Sequence, residues 1–400
     1  MRILQVISSF PPAYAYGGPA KVAYEISKEL VKKGHEVTVY TTDVYDAHSR
    51  FKYNENPMWM DGIGVYHFRN VSNKLAHREN LATAPEMAIA LNKNIKDFDI
   101  VHLHEYRSFQ TMLIHHYAKK YRIPYVLQAH GSLPRIIEKQ RLKKLYDWVW
   151  GNKILKDAYR VIALTKTEAM QCKVMGVDED KIEIVPNGVN LSEYENLPEK
   201  WEFKRRYLMG DDEKVILYLG RIHKTKGLDL LVNTFAELSK KLKNVKLIIV
   251  GPDDGGSSTL KKRIDDLGIN DRVLFTGPLY GMNKLKAYID ADVFVTPSFS
   301  GFPVTFLEAC ACGTPIIMTN NGDKLDWVHG KVGYVVEYDK DQLRDAIFEI
   351  LSDEGLSRRF GEEGRRLVIK EFDWSEIVGG VENVYKRAQN MEVVNVEAKH

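Results

Sequence analysis

Apolar positions along this chain fall in short runs separated by stretches of helical spacing. Residues 2–7 read as a first strand and run into a Pro/Gly-rich loop at 10–19. Pro19 suits the first turn of a helix whose apolar face is Val22, Ile26 and Leu30, and Gly34 closes it. Residues 35–40 alternate as a strand, and 99–103, 125–128 and 160–164 are further short strands. Residues 44–80 have no clean period and read as a long loop region with a hairpin. After a turn-rich linker at 186–198, strands recur at 215–219, 245–250, 273–275, 292–296 and 315–319. A final helix follows Phe372-Asp373-Trp374-Ser375. Such alternation predicts an α/β chain of parallel, doubly wound sheets.

Length turns this pattern into two domains, because 400 residues exceed one ordinary core. The expected division is 1–197, 198–374 and a helix with a frayed end at 375–400. An apolar content of 44% with 28% charged residues is that of a soluble globular protein. The apolar stretch at the N-terminus is too short for a signal peptide, and no run approaches the ~20 residues of a membrane span. Cys172, Cys310 and Cys312 give no disulfide framework, and the expected location is cytoplasmic. Charge matters only locally. Segment 135–160 holds eight basic residues against three acidic ones, with Tyr146, Trp148 and Trp150 among them. That mixture suits peripheral contact with an anionic membrane at its inner face, or with an acceptor. It is equally what a solvated helix with inward-packed aromatics looks like.

Two segments carry the most specific chemistry. Gly220-Arg221-Ile222-His223-Lys224-Thr225-Lys226-Gly227 follows an apolar strand and offers fixed cations with no acid between the glycines. Arg can take two phosphate oxygens at once, and Lys acts as a point charge. Alone, such a loop is as easily a solvated turn. The second segment runs Pro297-Ser298-Phe299-Ser300-Gly301-Phe302-Pro303-Val304-Thr305-Phe306-Leu307-Glu308. Gly301 and Pro303 let a helix begin near Pro303, so the amides of Val304, Thr305 and Phe306 are free for an anion. Glu308, about one turn in, can accept from vicinal hydroxyls such as those of ribose. It could also merely complement the helix dipole. In the N-terminal half, Gly17-Gly18 permits close backbone approach at a helix start, and His130-Gly131 stands at a strand's carboxyl end.

These pieces, in this order, resemble the retaining glycosyltransferases of family 4 over nearly the whole chain. Gly17-Gly18, Gly34-His35-Glu36, Asp99-Ile100-Val101-His102-Leu103-His104, His130-Gly131, Pro186-Asn187-Gly188-Val189-Asn190, Gly220-Arg221 and Lys226-Gly227 all match. The resemblance implies a GT-B fold of two Rossmann-like domains facing a cleft, with the last helix returning to the first domain. It implies a hexosyltransferase whose co-substrate is a nucleotide-diphospho-sugar. The cations and helix dipoles would supply the charge that a divalent metal otherwise supplies, and no His/Asp/Glu cluster has ligand spacing, so neither metal nor cofactor is expected. Arg221 and Lys226 would hold the diphosphate, Glu308 the ribose and His130 the donor sugar, with Gly18 approaching the phosphates. Ser300 is the departure. The family usually has a glutamate eight residues before Glu308, and Asp323 is a candidate to replace it.

Rival readings have weaker support. No Gly-x-Gly-x-x-Gly follows a strand, and Gly62-Ile63-Gly64 lacks the third glycine. Lys226 precedes glycine, so there is no Walker A loop, and nothing points to nucleic acid. Asp97-Phe98-Asp99 fits the Asp-x-Asp string of metal-dependent transferases, against the two-domain layout. A non-catalytic nucleotide-sugar-binding protein and a sugar-nucleotide epimerase remain compatible with the fold. The acceptor is a glycan, a lipid-linked intermediate or a small molecule.

Overall fold

The computed structural model describes residues 1–13, 18–46, 49–79, 81–134, 140–299, 301–320 and 325–397. The chain forms two compact units, one of Met1–Gly188 with Trp374–His400 and one of Val189–Asp373. Each is built on a predominantly parallel sheet with flanking helices.

The first unit contains β1 (Arg2–Val6), β2 (Glu36–Thr42), β3 (Met58–Met60) and β4 (Ile63–Phe68). It continues with β5 (Ile100–Leu103), β6 (Tyr125–Gln128), β7 (Arg160–Ala163) and β8 (Ile182–Ile184). Their order is β3-β4-β2-β1-β5-β6-β7-β8. The central strands β5 and β6 are buried at every residue, which is why they read as apolar runs rather than alternations. The helix Gly18–Lys32 buries Val22, Ile26 and Leu30, and Gly34 adopts a φ of +84° just past its end.

The expectation for 44–80 needs correction. The hairpin exists, but its second strand β4 is a full member of the sheet, pairing parallel with β2 from Thr38↔Gly64 to Thr42↔Phe68. A helix, Asn73–Glu79, follows. Gly64 and the buried His67 interrupt the apolar sequence of β4, so no period showed. Gly62 and Gly64 belong to this hairpin.

The second unit contains β9 (Lys214–Leu219), β10 (Val245–Val250), β11 (Val273–Gly277), β12 (Val293–Thr296), β13 (Ile316–Thr319) and β14 (Gly333–Val336). Their order is β11-β10-β9-β12-β13-β14, parallel throughout. In both sheets the chain first winds to one side and then to the other. The winding reverses between β1 and β5 in the first unit and between β9 and β12 in the second. Ligands of open α/β sheets bind at the carboxyl ends of strands at such a reversal. The loops at 220–227 and 297–299 leave that place in the second unit, and 7–13 and 104–108 leave it in the first.

Candidate active site

In the second unit the two loops touch. Gly227 has a φ of +67°, which disfavours other residues, and a Cβ there would sit tightly against the Pro297 side chain, at 3.0 Å. The turn Lys224–Lys226 is capped by His223, whose Nδ1 accepts from the Thr225 amide, and the helix Leu228–Lys241 follows. Lys226, one residue before the contact, is half-buried and its ammonium has no partner among the described residues. Burial lowers its pKa, the Arg221 charge lowers it further, and Asp254 partly offsets both. Arg221 is exposed and pairs with Asp254 at 2.6 Å. This acid comes from the loop after β10, which packs so closely that a Cβ on Gly256 would approach the Ile222 carbonyl.

The helix Val304–Ala311 begins where the sequence placed it, with Pro303 as its cap at ψ 122° and Gly301 at φ +69° before it. Phe306 differs from expectation: its amide already donates to the Pro303 carbonyl at 3.2 Å, as a tight first turn permits. The amides of Val304 and Thr305 make no hydrogen bond among the described residues. Glu308 is buried, and its carboxylate accepts from Lys284 Nζ at 2.7 Å and from the Tyr288 hydroxyl at 3.2 Å. Burial and then the Glu308 charge push the Tyr288 phenol well above its ordinary range. Neither Lys284 nor Tyr288 was singled out by sequence. Ser300, Asp323 and Gly17 lie outside the described residues.

In the first unit, Gly18 opens its helix, and a Cβ there would meet no atom of the described residues within 4 Å. His130 follows β6 in a left-handed conformation, φ +52°, with Gly131 at +75°. A non-glycine residue held there stores strain, typically ~1–3 kcal/mol, and something must hold it. Glu168 does so: its buried carboxylate accepts the Gly131 amide at 2.7 Å and the Leu164 amide at 2.8 Å. Thr165 caps the helix Lys166–Val174 by accepting the Glu168 amide at 3.0 Å. The His130 ring stacks on His104, with Nε2 3.1 Å from His104 Nδ1. Burial lowers its pKa to about 3, so the imidazole is neutral near pH 7. It can exchange hydrogen bonds with a ligand but carries no charge to one.

Elsewhere, Asp99 stands at the start of β5, the opposite end from His104, where it accepts the Arg2 amide at 2.7 Å. Asp97 lies in the short helical turn before it. Of segment 135–160, residues 135–139 lie outside the described residues. The rest is a helix, Gln140–Tyr146, a π-helical turn, Asp147–Gly151, and a helix, Asn152–Asp157. The buried Asp147 anchors the turn by pairing with Arg107 at 2.8 Å. Tyr146 turns inward to the Tyr106 carbonyl, but Leu142, Leu145, Trp148 and Trp150 are 64%, 54%, 76% and 46% exposed. The reading with all aromatics packed inward is thereby corrected for the two tryptophans. No helix among the described residues is long and apolar enough to cross a membrane.

Two parallel Rossmann-like units, each with a ligand-binding reversal in its sheet, define the GT-B class of glycosyltransferase structure. Residues 16–193 match the family described as Glycosyltransferase Family 4, and 199–367 match glycosyl transferases group 1. An uncharacterized glycosyltransferase of Methanocaldococcus jannaschii is 29% identical, over 98% of this chain and 99% of that one. N-acetyl-alpha-D-glucosaminyl L-malate synthase of Bacillus anthracis is 26% identical, over 96% and 97%. The structure of HepE from Anabaena, solved with UDP and glucose, superposes with a TM-score of 0.78 at 19% identity, covering 97% of this chain and all of that one. The chain belongs to the family 4 glycosyltransferases of GT-B fold.

Proposed function

We propose that this glycosyltransferase moves a hexose, with retention and without a metal or cofactor, from a nucleotide-diphospho-sugar to a glycan, lipid-linked or small-molecule acceptor. The observation that carries the reading is the half-buried Lys226 ammonium, without a partner among the described residues and one residue from the Gly227–Pro297 contact, at the reversal of the second sheet. An unpaired ammonium in such a place is costly unless an anion completes it. Arg221 and the amides of Val304 and Thr305 add donors. Negative charge grows on the diphosphate as its bond to the sugar breaks, and preorganised donors there are worth ~10²–10³ in rate each. The nucleotide of HepE, UDP, is a ligand of this kind.

The Arg221–Asp254 pair does not argue against this role. Its partners are 52% and 31% exposed, and pairs of that exposure are worth ~0–1 kcal/mol, so a diphosphate can displace the carboxylate. Glu308 holds ribose by sharing its carboxylate with Lys284. Gly18 admits the phosphates closely, and His130 touches the sugar. Ser300 stands where the family's usual pattern has a glutamate, and its hydroxyl can offer the sugar only a neutral hydrogen bond. The exposed tryptophans and lysines of 140–160 dock on an anionic membrane face, which suits a lipid-linked acceptor.

The test is a panel of nucleotide sugars, screened for thermal stabilisation and then for release of nucleoside diphosphate with and without acceptor. Arg221→Ala and Lys226→Ala should each lower turnover by ~10²–10³ with folding unchanged. Excess chelator should leave turnover intact. Near-native turnover in both variants would refute the clamp. Activity lost to chelator and restored by Mn²⁺ would refute metal independence.

A further inference from the structure

A chain of hydrogen bonds runs from His130 into the interior of the first unit. His130 Nε2 meets His104 Nδ1 at 3.1 Å, and His104 Nε2 meets Gln5 Oε1 at 2.6 Å. Gln5 Nε2 donates to the Tyr385 hydroxyl at 3.2 Å, and that hydroxyl meets His102 Nδ1 at 2.6 Å. Gln5, His102, His104 and Tyr385 are fully buried, so each group must find its partner inside the protein. No group of three or more His, Cys, Asp or Glu among the described residues is arranged to hold a metal ion.

We propose that His104 and Gln5 are positioning residues that set the tautomer of His130. They keep the proton on its Nε2, so that a bare Nδ1 lone pair is presented to a hydroxyl of the transferred sugar. The second half of that statement rests on the donor-sugar reading above; the first does not.

The direction of the chain follows from Gln5. A neutral imidazole has one donor and one acceptor nitrogen. The Gln5 amide nitrogen only donates, and it donates to the Tyr385 hydroxyl, so Tyr385 passes its own proton to His102 Nδ1. The Gln5 carbonyl oxygen only accepts, so it takes the proton of His104 Nε2, which makes His104 Nδ1 an acceptor. Among the described residues the donor that faces it is His130 Nε2. Each group fixes the next, and His130 Nδ1 has no partner among the described residues. Burial lowers the pKa of all three histidines, which keeps the chain neutral.

The test uses the full chain with ¹⁵N-labelled histidine, read by long-range ¹H–¹⁵N correlation at neutral pH and assigned with single substitutions. The expected result is the neutral Nε2–H tautomer at His102, His104 and His130. An Nδ1–H or doubly protonated His130 would overturn the proposal. Gln5→Met should let both His130 tautomers appear and lower kcat at least tenfold, with binding of free nucleoside diphosphate unchanged. Should Gln5→Met fail to fold, Tyr385→Phe, which unpins Gln5, should also mix the tautomers, and an unmixed spectrum would refute the relay. The expected tautomers with no turnover of any donor would count against the glycosyl-transfer reading and leave the relay standing.

Discussion

On the proposed assignment, Lys226 is a single charge set for an anion that is not part of the protein. Its pKa is lowered, by burial first and by Arg221 second, so the folded chain releases this proton more readily than the unfolded chain. Between the two pKa values the unfolded state binds more protons, and the contribution of Lys226 to stability rises with pH in that window. Diphosphate affinity has the opposite sign, because it needs the ammonium charged. It should fall as pH rises toward the ordinary lysine value, sooner than an exposed lysine would lose its charge. Lys226→Arg should flatten that limb, since guanidinium stays protonated. Titration of binding by calorimetry across that range checks it, and identical slopes in both proteins would exclude the assignment. Glu168 works by acceptance instead. Glu168→Ala strands the Gly131 and Leu164 amides, each costing ~1–3 kcal/mol if left buried and unpaired. We expect a loss of about 2–4 kcal/mol in denaturant unfolding, together with lower turnover as the strained His130 turn relaxes.

At the level of elements, what could be read from sequence depended on how uniform each element's surroundings are. Strands β1, β5, β6, β9 and β10 lie between covered faces, so their apolar runs stood out. The short strands β8 and β14 are partly exposed edge strands and gave no such run. The loop at 220–227 and the start of the Val304–Ala311 helix were legible because glycine and proline punctuate them locally. Asp254, Lys284, Tyr288, Gln5 and Tyr385 were not legible as site residues, because only the fold brings them from distant positions to Arg221, Glu308 and the histidines. Glu168 is the exception. The spacing Thr165-x-x-Glu168 is a helix-capping signal, although it gives no hint that the carboxylate reaches Gly131. The π-helical turn Asp147–Gly151 had no sequence signal at all, yet Trp148 and Trp150 stand exposed from it. Trp148→Ser with Trp150→Ser should reduce co-sedimentation with anionic vesicles by tenfold or more. Raising salt should weaken the wild type further if the lysines contribute. Equal binding by both proteins would remove this segment from membrane contact.

On the scale of the whole molecule, the chain leaves the first unit at Gly188 and rejoins it at Trp374. The returning helix, Trp374–Glu397, is part of that unit's interior: Val378, Val381, Tyr385 and Ala388 are each at most 1% exposed. The intervening unit carries its own sheet and core. We therefore expect residues 189–373 expressed alone to unfold cooperatively, and residues 1–188 alone to lack a cooperative transition until residues 374–400 are supplied in trans. Calorimetry of the two fragments decides this, and a sharp transition in 1–188 by itself would refute it.

The same connectivity has a consequence during synthesis. On a ribosome making ~5–20 residues per second, the inserted unit occupies on the order of 10–40 s between the last strand of the first unit and the helix that completes it. For that time the surface around Gln5 and His102 waits uncovered, with the inserted unit free to finish folding first. The nascent first half thus keeps that surface open to other contacts until the helix Trp374–Glu397 emerges. Slow codons near the C-terminus would lengthen its exposure more than slow codons anywhere in the first half.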